Sequence, residues 1–157
     1  MDISPKHENA VIAACRISAL QARLDLLANV GAPERSTLAF YGTTKPDPGD
    51  PPGADPIVIL TMTEGAGTID AGLFQLLLAT PIGGQVTGAD PEEGTIPLWA
   101  RITDPAGDWW ADLTVSVEGG GGDIQLVATG LEGAPAAPVA RLFNGAVAQI
   151  ASAVVQG

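Results

Sequence analysis

A single cysteine, Cys15, excludes an intrachain disulfide framework and a cysteine metal cage. A single histidine, His7, sits between Lys6 and Glu8 near an exposed terminus, without the partner and pocket that a catalytic base needs. Basic residues are scarce, with seven Lys and Arg against 18 Asp and Glu. The resulting net charge of −11 repels phosphate backbones and argues against direct nucleic-acid binding. Long uninterrupted apolar runs are missing as well. The Ala/Val-rich stretch near the C-terminus is broken by Pro135, Pro138, Arg141 and Asn144, so no membrane span is expected. The N-terminus carries Asp2, Lys6, His7 and Glu8 where a signal peptide would place an apolar segment; a soluble protein made in the cytoplasm is expected. There is no Gly-x-Ser-x-Gly elbow and no His/Cys zinc spacing. The glycines at 119–122 lack the following Lys-Ser/Thr of a phosphate cradle. These absences predict a protein that is not an enzyme and holds no cofactor or metal.

What is present points to β-structure. A 157-residue chain with 46% hydrophobic residues can bury a real core as one domain, and 20 Gly with 13 Pro suit many short strands joined by turns. Charge is unevenly spread, +1 over residues 1–45 and −12 over residues 46–157.

Residues 96–127 read as three consecutive antiparallel strands. Asp104-Pro105-Ala106-Gly107 has the residues of a type I turn. On the incoming arm Leu98, Ala100 and Ile102 share one face, and Trp99, Arg101 and Thr103 the other. On the outgoing arm Trp109, Ala111 and Leu113 alternate with Trp110, Asp112 and Thr114. Setting Thr103 opposite Asp108 places Ile102 against Trp109 and Leu98 against Leu113, which keeps the apolar residues together. A slip of one residue would mix the faces. Asp123-Ile124-Gln125-Leu126 follows the glycine run as the third strand.

In chain order, Ser4 and Pro5 open a helix as N-cap and first residue. Ile17, Leu20, Leu24 and Leu27 form its apolar stripe, and Gly31 with Pro33 ends it. The stripe either packs on the chain's own sheet or docks on a neighbouring subunit. Residues 36–41 read as a strand with Leu38 and Phe40 on one side. Residues 45–56 form an exposed proline-rich arm, and residues 57–62 a central strand. Residues 69–79 allow helix or strand, and Gly72 and Pro81 favour strand. Asn144-Gly145 predicts a closing hairpin. Seven to nine strands and one helix predict a mainly β fold, a two-sheet antiparallel sandwich or jelly-roll-like domain. Residues 1–31 form the helical segment and residues 36–157 the β-domain.

Few residues invite chemistry. Asp90, Glu92 and Glu93 make the densest acidic cluster, a calcium-type loop or a solvated one. Cys15, on the helix, reads as a small buried hydrophobe. Trp99, Arg101 and Trp110 share the outer face of the central hairpin in the chosen register. They form an interface anchor, a second core under the helix or the arm, or a sugar platform.

The order of elements resembles a family of small proteins encoded among the virion genes of tailed bacteriophages. The positions that carry the resemblance are Arg23-Leu24-Asp25, Tyr41-Gly42, Ala100-Arg101-Ile102, Asp104, Gly107 and Asp123-Ile124 with Leu126. The tandem tryptophans and the Ala-rich C-terminal strand depart from that pattern. The resemblance implies a non-enzymatic virion protein, first of all a capsid decoration (cement) protein, otherwise a head-to-tail connector or tail-associated component. A carbohydrate-binding module using Trp99 and Trp110 is the alternative from another class. The partners so implied are the major capsid protein or other virion proteins and further copies of the chain, as a dimer or trimer. Ile17, Leu20, Leu24, Leu27, Trp99, Arg101 and Trp110 are the expected contact residues.

Overall fold

The computed structural model describes residues 4–28, 31, 33–127, 131–132 and 138–156. Among them are one helix, α1 (Pro5–Leu27), and eleven strands: β1 (Thr37–Tyr41), β2 (Val58–Thr61), β3 (Gly67–Asp70), β4 (Gln75–Leu78), β5 (Ile82–Gln85), β6 (Trp99–Thr103), β7 (Trp109–Val117), β8 (Ile124–Leu126), β9 (Leu131–Glu132), β10 (Val139–Ala140) and β11 (Val147–Gln156). The mainly β class with one N-terminal helix holds. The sandwich does not emerge: nine strands form one curled, mixed sheet, ordered β2-β1-β6-β7-β8-β11-β4-β3 with β5 also on β11, while β9 and β10 pair apart. The curl brings the β2 edge back to the segment after β5, since the Thr87 and Gly88 amides both donate to the Ile57 carbonyl at the entry to β2.

β11 organises half of this sheet because its ten residues outlast any single neighbour. Along one edge Val147–Ile150 pairs with β5 and Val154–Gln156 with β4, and β8 runs along the other edge. The ambiguous stretch 69–79 is a hairpin, β3 to β4, whose turn is fixed by the Asp70 carboxylate accepting from the Gly72 and Leu73 amides. β2, expected in the centre, has a ladder with β1 alone.

The central hairpin forms, but two residues away from the expected register. Arg101 faces Asp112, Ala100 faces Leu113 and Ile102 faces Ala111. Two causes add up. The Asp104 carboxylate accepts from the amides of both Ala106 and Asp108, and its own amide donates to the Asp108 carbonyl, so Asp104 rather than Thr103 closes the turn against Asp108. Trp110 is then left over as a bulge between the pairs Thr103–Trp109 and Ile102–Ala111. A shift of two preserves the face of every residue from Ala111 onward but exchanges the tryptophans. Trp109 joins the outer face, and Trp110 turns toward α1.

β8 is parallel to β7, not antiparallel, with Val115 beside Ile124 and Val117 beside Leu126. Parallel neighbours ordinarily need a crossover of about a dozen residues or more, whereas here residues 118–123 suffice. Glycine makes this possible. The loop backbone lies against β7 so closely that a Cβ at Gly122 would sit 2.9 Å from the Ser116 amide nitrogen. Asp123 closes the return by accepting at Oδ2 from the Thr114 amide (2.9 Å) and hydroxyl (2.7 Å).

The Asn144-Gly145 turn is present, yet its arms do not pair with each other. β10 pairs with β9, and the turn is clamped to residues 86–89 through Gly145 N to Val86 O and Ala89 N to Asn144 Oδ1. The main core lies inside the curl. Leu20, Leu24 and Leu27 of α1 are part of it together with Phe40, Leu60, Ile102, Leu126 and Ile150.

Candidate interaction surfaces

α1 begins where its cap predicts. Ser4 is extended, its hydroxyl accepts from the His7 amide, and Pro5 occupies the first turn. The second half of the helix packs on the β3–β4 hairpin, with Leu20, Leu24 and Leu27 buried and Ile17 half-buried. Trp110 fastens it further, its indole Nε1 donating to the Arg23 carbonyl at 3.2 Å. Arg16 lies over the Phe74 ring, 5.3 Å from its centroid. The first half has no comparable packing, and Val11 and Ile12 are 63% and 48% exposed. Cys15, expected inside, is exposed beside them. The same spacing argument that found the buried stripe finds a second one opposite it. Ile12, Cys15, Ala19, Ala22 and Leu26 recur at steps of three and four, and all are exposed.

The outer face of β1, β6 and β7 is an internal structure rather than a bare anchor. Trp99 is 1% exposed and stacks on Tyr41, with ring centroids 4.4 Å apart. The Arg101 guanidinium is held between Trp99 and Trp109, 5.6 and 5.8 Å from their centroids. It also donates from Nε and Nη2 to both carboxylate oxygens of Asp112, each at 2.7 Å. That bidentate pair raises the pKa of Arg101, and burial pushes the Tyr41 phenol up. Most residues of the proline-rich arm, 45–56, are exposed. Asp50 is near enough to act on the Arg101 charge and Asp55 on Tyr41. Burial leaves the Trp99 indole N–H without a hydrogen-bond partner among the described residues, which opposes folding by about 1–3 kcal/mol.

The expected contact residues are thus engaged inside the chain: Trp99 and Arg101 in this stack, Trp110 on the helix, and Leu20, Leu24 and Leu27 in the core. Trp109 is the most exposed tryptophan, at 45%, and Trp110 is half-buried.

At the far end of β7, Leu98, Val115, Val117 and Val139 line an apolar cleft of about 490 Å³, with Glu118 among its lining residues. Leu98 is 52% exposed there, and no residue of α1 lines the cleft.

The acidic cluster has a structural task. Asp90 accepts from the Glu92 and Glu93 amides, and those bonds lower its pKa. No group of three metal-ligating side chains gathers among the described residues, and no helix among them is long and apolar enough to cross a membrane. Comparison with known proteins finds no family model, no curated protein and no solved structure that matches this chain.

Proposed function

We propose that this protein is a non-enzymatic structural component of a tailed-bacteriophage particle, a capsid decoration protein that is made in the host cytoplasm and adds to the assembled shell. The observation that carries the docking part of this reading is the exposed apolar stripe on α1, Ile12, Cys15, Ala19, Ala22 and Leu26, with exposed Val11 beside it, on a helix anchored through its other side. Exposed contiguous apolar surface marks contact sites. The bacteriophage assignment rests on the motif resemblance alone. In this reading the β-body meets the shell and the free half of α1 reaches a neighbour. The sugar-binding alternative loses its platform, because Trp99 is buried and Trp110 is committed to Arg23.

Quantitative mass spectrometry of purified particles tests the reading. A copy number near that of the major capsid protein is expected. A handful of copies would move the protein to the connector or tail, and absence from the particle would sink the virion assignment.

A further inference from the structure

We infer that the cleft between α1 and the β6–β7 turn is a guanidinium socket, which receives an arginine side chain from an exposed segment of another protein. The cleft measures about 610 Å³, and Arg23, Leu26, Asp104, Asp108, Trp109 and Trp110 are among its lining residues. Consecutive residues of a strand ordinarily point to opposite faces. The bulge at Trp110 breaks that alternation, and Trp109 and Trp110 both border the cleft. Asp104 accepts at Oδ1 from the Ala106 and Asp108 amides, which holds the turn in place beside them. The Asp108 side chain is exposed and accepts no hydrogen bond among the described residues. Arg23, on the same rim, forms no ion pair with either carboxylate among the described residues.

The chain itself shows what such a set of groups holds. Arg101 lies over the rings of Trp99 and Trp109, and its fork pairs with both carboxylate oxygens of Asp112. The cleft repeats those parts, two indoles and a carboxylate with no ion-pair partner, and Trp109 belongs to both sets. A planar guanidinium can stack on an indole and meet a carboxylate at once, which the point charge of a lysine cannot. Leu26, 59% exposed, adds an apolar wall for the methylene stem. Charge agrees, with two carboxylates against Arg23 on the rim and −11 over the whole chain, a field that draws cations. The arginine comes from a different protein. Within this chain Arg16 lies over Phe74, Arg35 pairs with Glu64, Arg101 with Asp112, and Arg141 donates to the Glu93 carbonyl. A second copy would therefore have to break an existing contact, and would set another −11 against the first.

The socket goes beyond the decoration reading and does not need a virus particle. Its test titrates the isotope-labelled full-length protein with the peptide N-acetyl-Gly-Arg-Gly-amide and follows the indole resonances by NMR. Saturable shifts at Trp109 and Trp110 are expected, with Trp99, buried against Tyr41, moving least. A citrulline peptide keeps the shape and loses the charge, and should bind roughly tenfold more weakly or worse. A lysine peptide should also bind more weakly than the arginine one. Asp108→Asn should weaken the arginine peptide by roughly tenfold. Arg23→Ala keeps the carbonyl that Trp110 uses and removes the competing cation, so binding should tighten by a factor of about two to five. Both substituted side chains are exposed, and circular dichroism verifies that each variant folds. Unmoved Trp109 and Trp110 resonances, equal binding of the citrulline or lysine peptide, an unaffected Asp108→Asn variant, or weaker binding by Arg23→Ala would overturn the inference. Arginine binding by a protein absent from particles would leave the socket standing and remove the virion reading. No arginine binding by a protein present in particles would do the reverse.

Discussion

From Leu20 to Leu27, α1 buries three leucines in the core and ties its Arg23 carbonyl to Trp110. From Pro5 to Arg16 the same helix leaves Val11 and Ile12 largely in solvent. Both halves belong to one continuous helix, Pro5–Leu27. What differs is company. A free helix of about a dozen residues is marginal in water because nucleation is costly, but a segment continuing an anchored helix inherits its nucleus. The anchored half therefore presents the exposed half as a formed surface.

The difference can be broken in graded ways. The reference is the best-engaged pair in the body: Asp112→Ala strands the Arg101 charge and should cost roughly 3–5 kcal/mol in urea unfolding. In the anchored half of α1, Leu24→Ala should cost roughly 2–5 kcal/mol by the same measurement, since it opens a cavity in the shared core. Trp110→Phe loses one hydrogen bond and part of the ring's packing, so about 1–2 kcal/mol is expected. In the exposed half, Ile12→Asp should change monomer stability by less than about 0.5 kcal/mol; a larger loss would mean that the half is packed after all. The smallest effect is alkaline and lies outside the helix. Tyr41 has a raised pKa, so the folded state holds its proton more tightly. That stabilisation is present below the ordinary phenol value near 10 and is lost as pH rises through the folded value. Tyr41→Phe should flatten the pH dependence of unfolding in that range.

Much of the scaffold was legible because it depends on local chemistry. Ser4-Pro5, the leucine stripe, the strand at 36–41 and the Asp104 turn each announce themselves through caps, spacing or turn residues. The Trp110 bulge was not, because inserting one residue changes no local preference and only the hydrogen bonds of Asp104 decide where the slack goes. The parallel return of β8 was hidden for a similar reason: a glycine run reads as a turn, and its close packing on Ser116 is a tertiary fact. The intrachain contacts of Trp99, Arg101 and Trp110 were not legible, because the alternation that finds an outer face cannot say what covers it. Several residues that carry the bacteriophage resemblance have structural roles here. Asp25 accepts from Gln21, Arg101 pairs with Asp112, Asp104 closes its turn and Asp123 holds Thr114. Gly42 leaves no room for a Cβ beside the Thr95 side chain and the Ile96 carbonyl. A motif of this kind marks a way of folding more than an activity. The free stripe on α1 was readable from the same three-and-four spacing as the buried one; only the structure tells which is covered.

Peptide-resolved hydrogen exchange on α1 tests the central claim most directly. Amides of residues 20–27 should be the better protected, while those of residues 8–16 should show the lower but measurable protection of a formed helix without core packing. Equal protection of the two halves, or no protection at all over residues 8–16, would contradict the account.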